Sequence, residues 1–256
     1  MNDARQPFKG AEQPLVERRF ASAMHALAGA QKSSKGAPAY SRFVNRKLGR
    51  VLAAMAYLIG MTPNQVTVLS AAFTYAAIVI LAVAPPTIFV SVVIALLLII
   101  GYALDAADGQ LARLRGGGSL AGEWLDHIAD AVKSSVLHAA VLICWFRFFD
   151  LDHWLLLVPL GYEAVTAIFF FGMILTDLLR RVHRGTSAII IRQKGPSSFL
   201  YSLAVVPADY GVMCLLFMLL WWQQLFVVLY LLLFVANALI LVGALARWYR
   251  EMKTLT

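Results

Sequence analysis

The sequence predicts an all-α integral membrane protein, a six-transmembrane-helix bundle with an N-terminal interfacial amphipathic helix. Three observations predict it. The 256-residue chain is 61% hydrophobic and only 14% charged, with a mean hydropathy of +0.73, whereas an ordinary soluble domain is about 45–50% apolar and about 25% charged. Apolar stretches of about 20 residues, the length that crosses a bilayer, recur along most of the chain. The basic residues cluster between those stretches: ten of the 22 Lys and Arg precede Pro63, five lie from Arg180 to Lys194, and three follow Ala246.

Residues 1–39 are rich in Ala, Gln, Lys and Arg and hold no apolar core of signal-peptide length. They are expected to be mobile or to lie on the membrane surface. In residues 40–60, Tyr40, Phe43, Val44, Leu48, Val51 and Leu52 recur at helical spacing, and Arg42, Arg46, Lys47 and Arg50 hold much of the other face. That is the pattern of an interfacial helix on anionic headgroups. Gly60-Met61-Thr62-Pro63 then interrupts the chain, with Thr62 as N-cap and Pro63 in the first turn of the next helix. The membrane domain, 61–256, is divided into spans at about 63–84, 86–114, 119–147, 153–182, 197–221 and 224–246.

The turns Ala84–Thr87, Phe149–Asp152 and Trp222–Gln224 carry no Lys or Arg, while the opposite side holds the basic segments. The positive-inside rule therefore places both termini in the cytoplasm, and the expected setting is a bacterial inner or plasma membrane. The net charge of +8 is explained by these loops. No basic run is interleaved with aromatics as a base-stacking surface requires, so no nucleic-acid partner is expected. Cys144 and Cys214 sit alone in apolar runs and read as small core residues.

Four aspartates break the apolar pattern: Asp105 and Asp108 near the end of the second span, Asp126 and Asp130 near the start of the third. Carboxylates at membrane depth are costly and need partners. Asp105 and Asp108 are i,i+3 neighbours, and Asp126 and Asp130 are i,i+4, so each pair shares a helix face. Gly116-Gly117-Gly118 makes a tight turn between antiparallel helices and can bring the four together. Four oxygen donors suit one or two Mg²⁺ or Mn²⁺ ions, which are commonly completed by substrate phosphates. Arg113, two turns from Asp105, offers a phosphate contact. The acidic motif falls at the cytoplasmic end of its spans.

The text D-x2-D-G-x2-A-R-x8-G-x3-D-x3-D, filled by Asp105, Asp108, Gly109, Ala112, Arg113, Gly122, Asp126 and Asp130, resembles the signature of the CDP-alcohol phosphotransferase family. The Thr62–Thr67 opening, the six-span layout and the interfacial helix resemble it too. The resemblance implies a homodimer of six-helix bundles that displaces CMP from a CDP-linked donor by an alcohol hydroxyl, in phospholipid synthesis. CDP-diacylglycerol is the favoured donor, with a polar alcohol or alcohol phosphate as acceptor. Asp105, Asp108, Asp126 and Asp130 would bind metal, with two ions per site, and Asp130 would also be the general base. Asn64, Gln65, Thr67, Gly109, Ala112, Arg113 and Ser119 would line the CDP pocket.

Acceptor contacts or supporting roles fall to Gly122, Glu123, His127, Lys133, Arg180, Arg181 and Arg184. Gly122-Glu-Trp-Leu-Asp126-His127 resembles choline- and ethanolamine-phosphotransferases, whose CDP-linked head group goes to a lipid alcohol. Arg115-Gly-Gly-Gly-Ser119 instead resembles actinobacterial members that use inositol phosphate. In phosphatidyl-transferring members, basic residues near the Arg180–Lys194 loop bind the acceptor's phosphate; the positive-inside rule alone would also put them there. Asp177 and Asp209 read as structural partners of nearby arginines, ahead of the alternative that they line the acceptor entrance. A divalent-cation transporter is the rival class, but the outer halves of the spans are almost wholly apolar and inverted repeats are absent.

Overall fold

A computed structural model describes residues 15–29, 38–185 and 206–255. Five of its helices are long and apolar enough to cross a membrane, which makes the chain an integral membrane protein. Among the described residues there is no strand. Helix α1 spans Leu15–Gly29, and α2, entered through a π-helical turn at Ser41–Asn45, spans Arg46–Leu58. The long helices follow as α3 (Pro63–Val83), α4 (Ile88–Leu114), α5 (Leu120–Phe148) and α6 (Leu157–Arg184). The short α7 (Tyr210–Leu216) and the long α8 (Gln223–Met252) complete the bundle.

Local chemistry sets these limits. Gly60 takes φ +80 after α2, and Thr62 and Gln65 form a reciprocal capping box around Pro63 that starts α3. Thr87 and Ser119 cap α4 and α5 through their hydroxyls, accepting from Val90 N–H at 3.2 Å and Gly122 N–H at 3.0 Å. Between α4 and α5 the chain turns through Gly116 and Gly117 at φ +95 and +133, conformations that favour glycine.

Within 1–39, expected to be mobile or surface-lying, residues 15–29 form a helix whose Ala23 and Leu27 are buried against α2 and α4. The face of α2 toward the bundle is the small one, with Gly49, Ala53 and Ala56 buried, while Leu48, Val51 and Met55, and Val44 in the turn before them, are exposed. A Cβ on Gly49 would come 2.9 Å from Ala106 Cβ, so the two backbones approach closely there.

The expected fifth span, 197–221, is described only from Val206, and 197–205 lie outside the described residues. The described part is broken into α7 between two 3₁₀ turns, Val206–Ala208 and Phe217–Leu219. The break follows from Pro207 and from Asp209, whose Oδ1 accepts from Gly211 N–H at 3.1 Å and whose Oδ2 accepts from Ser41 N–H at 3.0 Å. One carboxylate thus caps α7 and ties it to the start of α2. The last helix runs to Met252, six residues past its expected end at 246.

Two cores stabilise the bundle. The larger gathers Trp145, Tyr162, Phe217, Phe226 and Tyr230 at the end away from the aspartates. His138, buried on α5, shares a 2.6 Å hydrogen bond with the Tyr230 hydroxyl. The smaller, of Ala53, Ala54, Val66, Leu104, Ala107 and Leu111, joins α1 and α2 to α3 and α4 beside the acidic motif.

Candidate active site

The antiparallel α4 and α5 bring Asp105, Asp126 and Asp130 together, with one carboxyl oxygen from each within 4.8 Å of the others. All three are partly buried, and three hard oxygen donors at this spacing fit a divalent cation. Asp108 lies one turn further along α4 and is not part of this triplet. Its Oδ2 accepts from the Thr67 hydroxyl at 2.6 Å, and its Oδ1 accepts from the Gly109 amide. Asp108 is buried, so these bonds satisfy a group that would otherwise be strongly penalised.

A cavity of about 280 Å³ opens beside the carboxylates, lined by Ser41, Asn45, Arg46, Tyr102, Asp105, Ala106, Asp108, Gly109, Gln110, Arg113 and Asp126. That volume approaches the lower bound of about 300–1,000 Å³ usual for small-molecule sites. On the other side of Asp105, a space of only about 10 Å³ touches Asp130, Lys133, Thr67, Ser70, Thr74 and Tyr75. Lys133 is ion-paired with Asp130 Oδ1 and lies 4.9 Å over the Tyr210 ring.

Of the residues expected in the nucleotide pocket, Gly109 and Arg113 line the larger cavity, and half-buried Ala112 lies between the two on α4. Thr67 reaches the site through Asp108. Asn64 packs against Gly122, where an added Cβ would come 2.9 Å from Asn64 Oδ1. Gln65 and Ser119 each close a helix start: Gln65 Oε1 accepts from Thr62 N–H at 2.8 Å, and the Ser119 hydroxyl caps α5. Both helix starts need those bonds, because their first amides have no partner within the helix.

The acceptor candidates on α5 and α6 form an ion-pair network. Arg181 donates to Glu123 Oε1 at 2.7 Å and, through Nε and Nη2, to Asp177 Oδ2 at 2.7 and 2.5 Å. His127 Nε2 lies 3.7 Å from the same Glu123 oxygen. Arg180 grips Glu251 on α8 with two bonds of 2.7 and 2.6 Å. The Arg184 side chain lies outside the described residues, as do Arg192 and Lys194.

Sequence reasoning missed Ser41, Asn45, Tyr102 and Gln110 as cavity residues, and it assigned Arg46 to headgroups alone. Ser41 and Asn45 are four residues apart and so share a helix face, which was the available signal. Asn45 is 2% exposed; its Nδ2 donates to Tyr102 O at 3.1 Å, and its Oδ1 has no partner among the described residues. Burial draws the Arg46 guanidinium down from its ordinary value, and Arg42 nearby adds to this, but the group remains cationic.

Carboxylates that converge beside a cavity in a membrane bundle can hold a divalent cation against a phosphate-bearing ligand. The chain belongs to the CDP-alcohol phosphatidyltransferase family, whose model matches residues 60–249. None of the curated proteins matches it in sequence. Among solved structures it is similar to the phosphatidylinositol phosphate synthase of Mycobacterium tuberculosis, crystallised with CDP-DAG bound, with a TM-score of 0.51 and 22% identity over 80% of this chain and 94% of that one. At that identity the likeness establishes a shared fold.

Proposed function

We propose that this enzyme transfers a phosphatidyl group from CDP-diacylglycerol to the hydroxyl of a polar alcohol and releases CMP. The observation that carries this reading is the convergence of Asp105, Asp126 and Asp130 to within 4.8 Å beside the larger cavity. The family match supports the reaction, and the donor bound to the similar synthase supports CDP-diacylglycerol. The cavity receives the donor's cytidine diphosphate. Gly109 allows close approach of the diphosphate, Arg113 and Arg46 face its charge, and the unpartnered Asn45 Oδ1 is a ready acceptor for the cytosine amino group. Ala112, Asn64, Gln65, Thr67 and Ser119 shape the pocket's edge, Gln65 and Ser119 by fixing the starts of α3 and α5.

Asp105, Asp108, Asp126 and Asp130 would hold Mg²⁺ or Mn²⁺, two ions per site, with Asp108 turning from Thr67. When bound, the ions would offset the charge developing on the diphosphate as CMP departs. Asp130 takes the proton of the acceptor hydroxyl, whose oxygen bonds to the phosphatidyl phosphorus as the bond to CMP breaks. Lys133 holds Asp130 in place from the next turn of α5.

Both termini and the active site face the cytoplasm in this reading. Residues 40–60 lie along the headgroups, with the outward stripe Val44, Leu48, Val51 and Met55 in the acyl boundary. The working unit is a homodimer. A second reading, transfer of a CDP-linked head group to a lipid alcohol, is favoured by the Glu123–His127 pair beside Asp126.

The test is CMP release by the purified protein in lipid nanodiscs with Mg²⁺, comparing CDP-diacylglycerol with CDP-linked head groups. Release from CDP-diacylglycerol with a water-soluble acceptor is expected, lost in excess EDTA and restored by Mg²⁺ or Mn²⁺. Full turnover without divalent metal overturns the site, and release only from CDP-linked head groups establishes the second reading.

A further inference from the structure

We infer that the acceptor alcohol carries no phosphate: it is an uncharged polyol or an amino alcohol. The inference rests on the phosphatidyl transfer proposed above and adds the acceptor's chemical class. The larger cavity occupies the side of the carboxylates toward α2 and α4, so the acceptor reaches Asp130 from elsewhere. On α5, Gly122 meets Asn64 of α3, while Glu123 meets Arg181 of α6 and the Ser134 carbonyl accepts from Thr166 of α6. Asp130 lies seven residues from Glu123, which a helix turning 3.6 residues per turn places within about 20° of it and about 10 Å along the axis. Asp130 and Glu123 therefore share the α6-leaning stripe, and an acceptor bound along it meets the Glu123–Arg181–Asp177 network.

That network does not suit a phosphate. The three described cations that an acceptor phosphate could use on this side are Lys133, Arg180 and Arg181, and each is held by a carboxylate of the chain itself. Lys133 pairs with Asp130, Arg180 with Glu251, and Arg181 with both Glu123 and Asp177. Glu123, Asp177 and Arg181 together carry one net negative charge. A phosphate placed against Arg181 would face two carboxylates already bonded to it, whereas a hydroxyl or an ammonium group finds acceptor oxygens on Glu123 and Asp177.

The experiment measures CMP release from CDP-diacylglycerol by the full chain in nanodiscs. Glycerol 3-phosphate and inositol 1-phosphate are compared with glycerol, inositol, serine and ethanolamine. Unphosphorylated acceptors are expected to turn over at least about tenfold faster than the phosphates, the scale of like-charge rejection at a buried site. Glu123→Gln, or Asp177→Asn where the first does not fold, removes one carboxylate from Arg181 and is expected to shift the ratio toward the phosphates by about tenfold. Preference of the wild-type enzyme for an alcohol phosphate overturns the inference while leaving phosphatidyl transfer intact. An unshifted ratio in both folded variants overturns the role given to Arg181. Absence of CMP release with every acceptor overturns phosphatidyl transfer itself.

Discussion

At the end of the bundle away from the aspartates, Trp145, Phe149, Phe217, Phe226 and Tyr230 pack ring against ring, with centroids 5.2–6.4 Å apart. At the aspartate end the helices meet through Gly49, Ala53, Ala54, Ala107 and Gly122 instead. Lipid tails are as apolar as leucine, so helices in a bilayer gain from close packing more than from leaving water. The two ends achieve that packing differently. Large rings fill one end and leave no room for chemistry. Small residues draw the backbones together at the other, and the space beside them is left to carboxylates, each of which must then be satisfied by a bond such as Thr67 to Asp108.

The largest expected effect separates the two ends by function. Asp130→Asn keeps the size of the side chain but removes the proton acceptor, and loss of a general base costs typically about 10²–10⁴-fold in rate. Turnover is expected to fall by that much, while thermal unfolding and nucleotide binding stay near the wild type. Near-normal turnover would remove Asp130 as the base.

The converse substitution tests the aromatic end. Phe226 is fully buried and touches the rings of Trp145, Phe149, Phe217 and Tyr230. Phe226→Ala leaves a cavity that is expected to cost about 3–5 kcal/mol in stability. Turnover per folded molecule should be unchanged. A loss of turnover larger than the loss of folded protein would mean that the two ends are coupled, and the comparison would fail.

How much of this was legible in the sequence differs between the same two ends. The long helices and the carboxylate face could be read because hydropathy and i,i+3 or i,i+4 spacing are local properties. Thr62 and Pro63 were readable for the same reason. The inward face of α2 was not, since an apolar stripe looks the same whether it meets protein or lipid. The small residues Gly49, Ala53 and Ala56 carried the answer. Nor could spacing show that Asp108 is held by Thr67, 41 positions away, or that Arg180 is held by Glu251, 71 positions away. Arg180 and Arg181 looked available because Glu251 and Glu123 lie on other helices, although Asp177, four residues before Arg181 on the same helix, was a readable partner. Of the fifth span only the part from Val206 is described, and there Pro207, Asp209 and Gly211 mark the break; a Cβ on Gly211 would come 1.9 Å from the Tyr40 ring.

The smallest effect tests how finely the aspartate end is set. Thr62 accepts from Gln65 N–H at 3.3 Å while its own N–H donates to Gln65 Oε1 at 2.8 Å, and this box fixes the first turn of α3. Thr67 lies one turn beyond it and reaches Asp108. Thr62→Ala removes the cap and is expected to cost about 0.5–2 kcal/mol in stability, measured by thermal unfolding in detergent. If α3 is held mainly by its packing along α4, turnover should follow the folded fraction. If the cap sets the Thr67 hydroxyl, the KM for the CDP-linked donor should rise more than stability falls, because Asp108 lines the cavity that receives it. The second outcome is the one expected: a helix start bonded this closely to a buried carboxylate cannot fray without moving it.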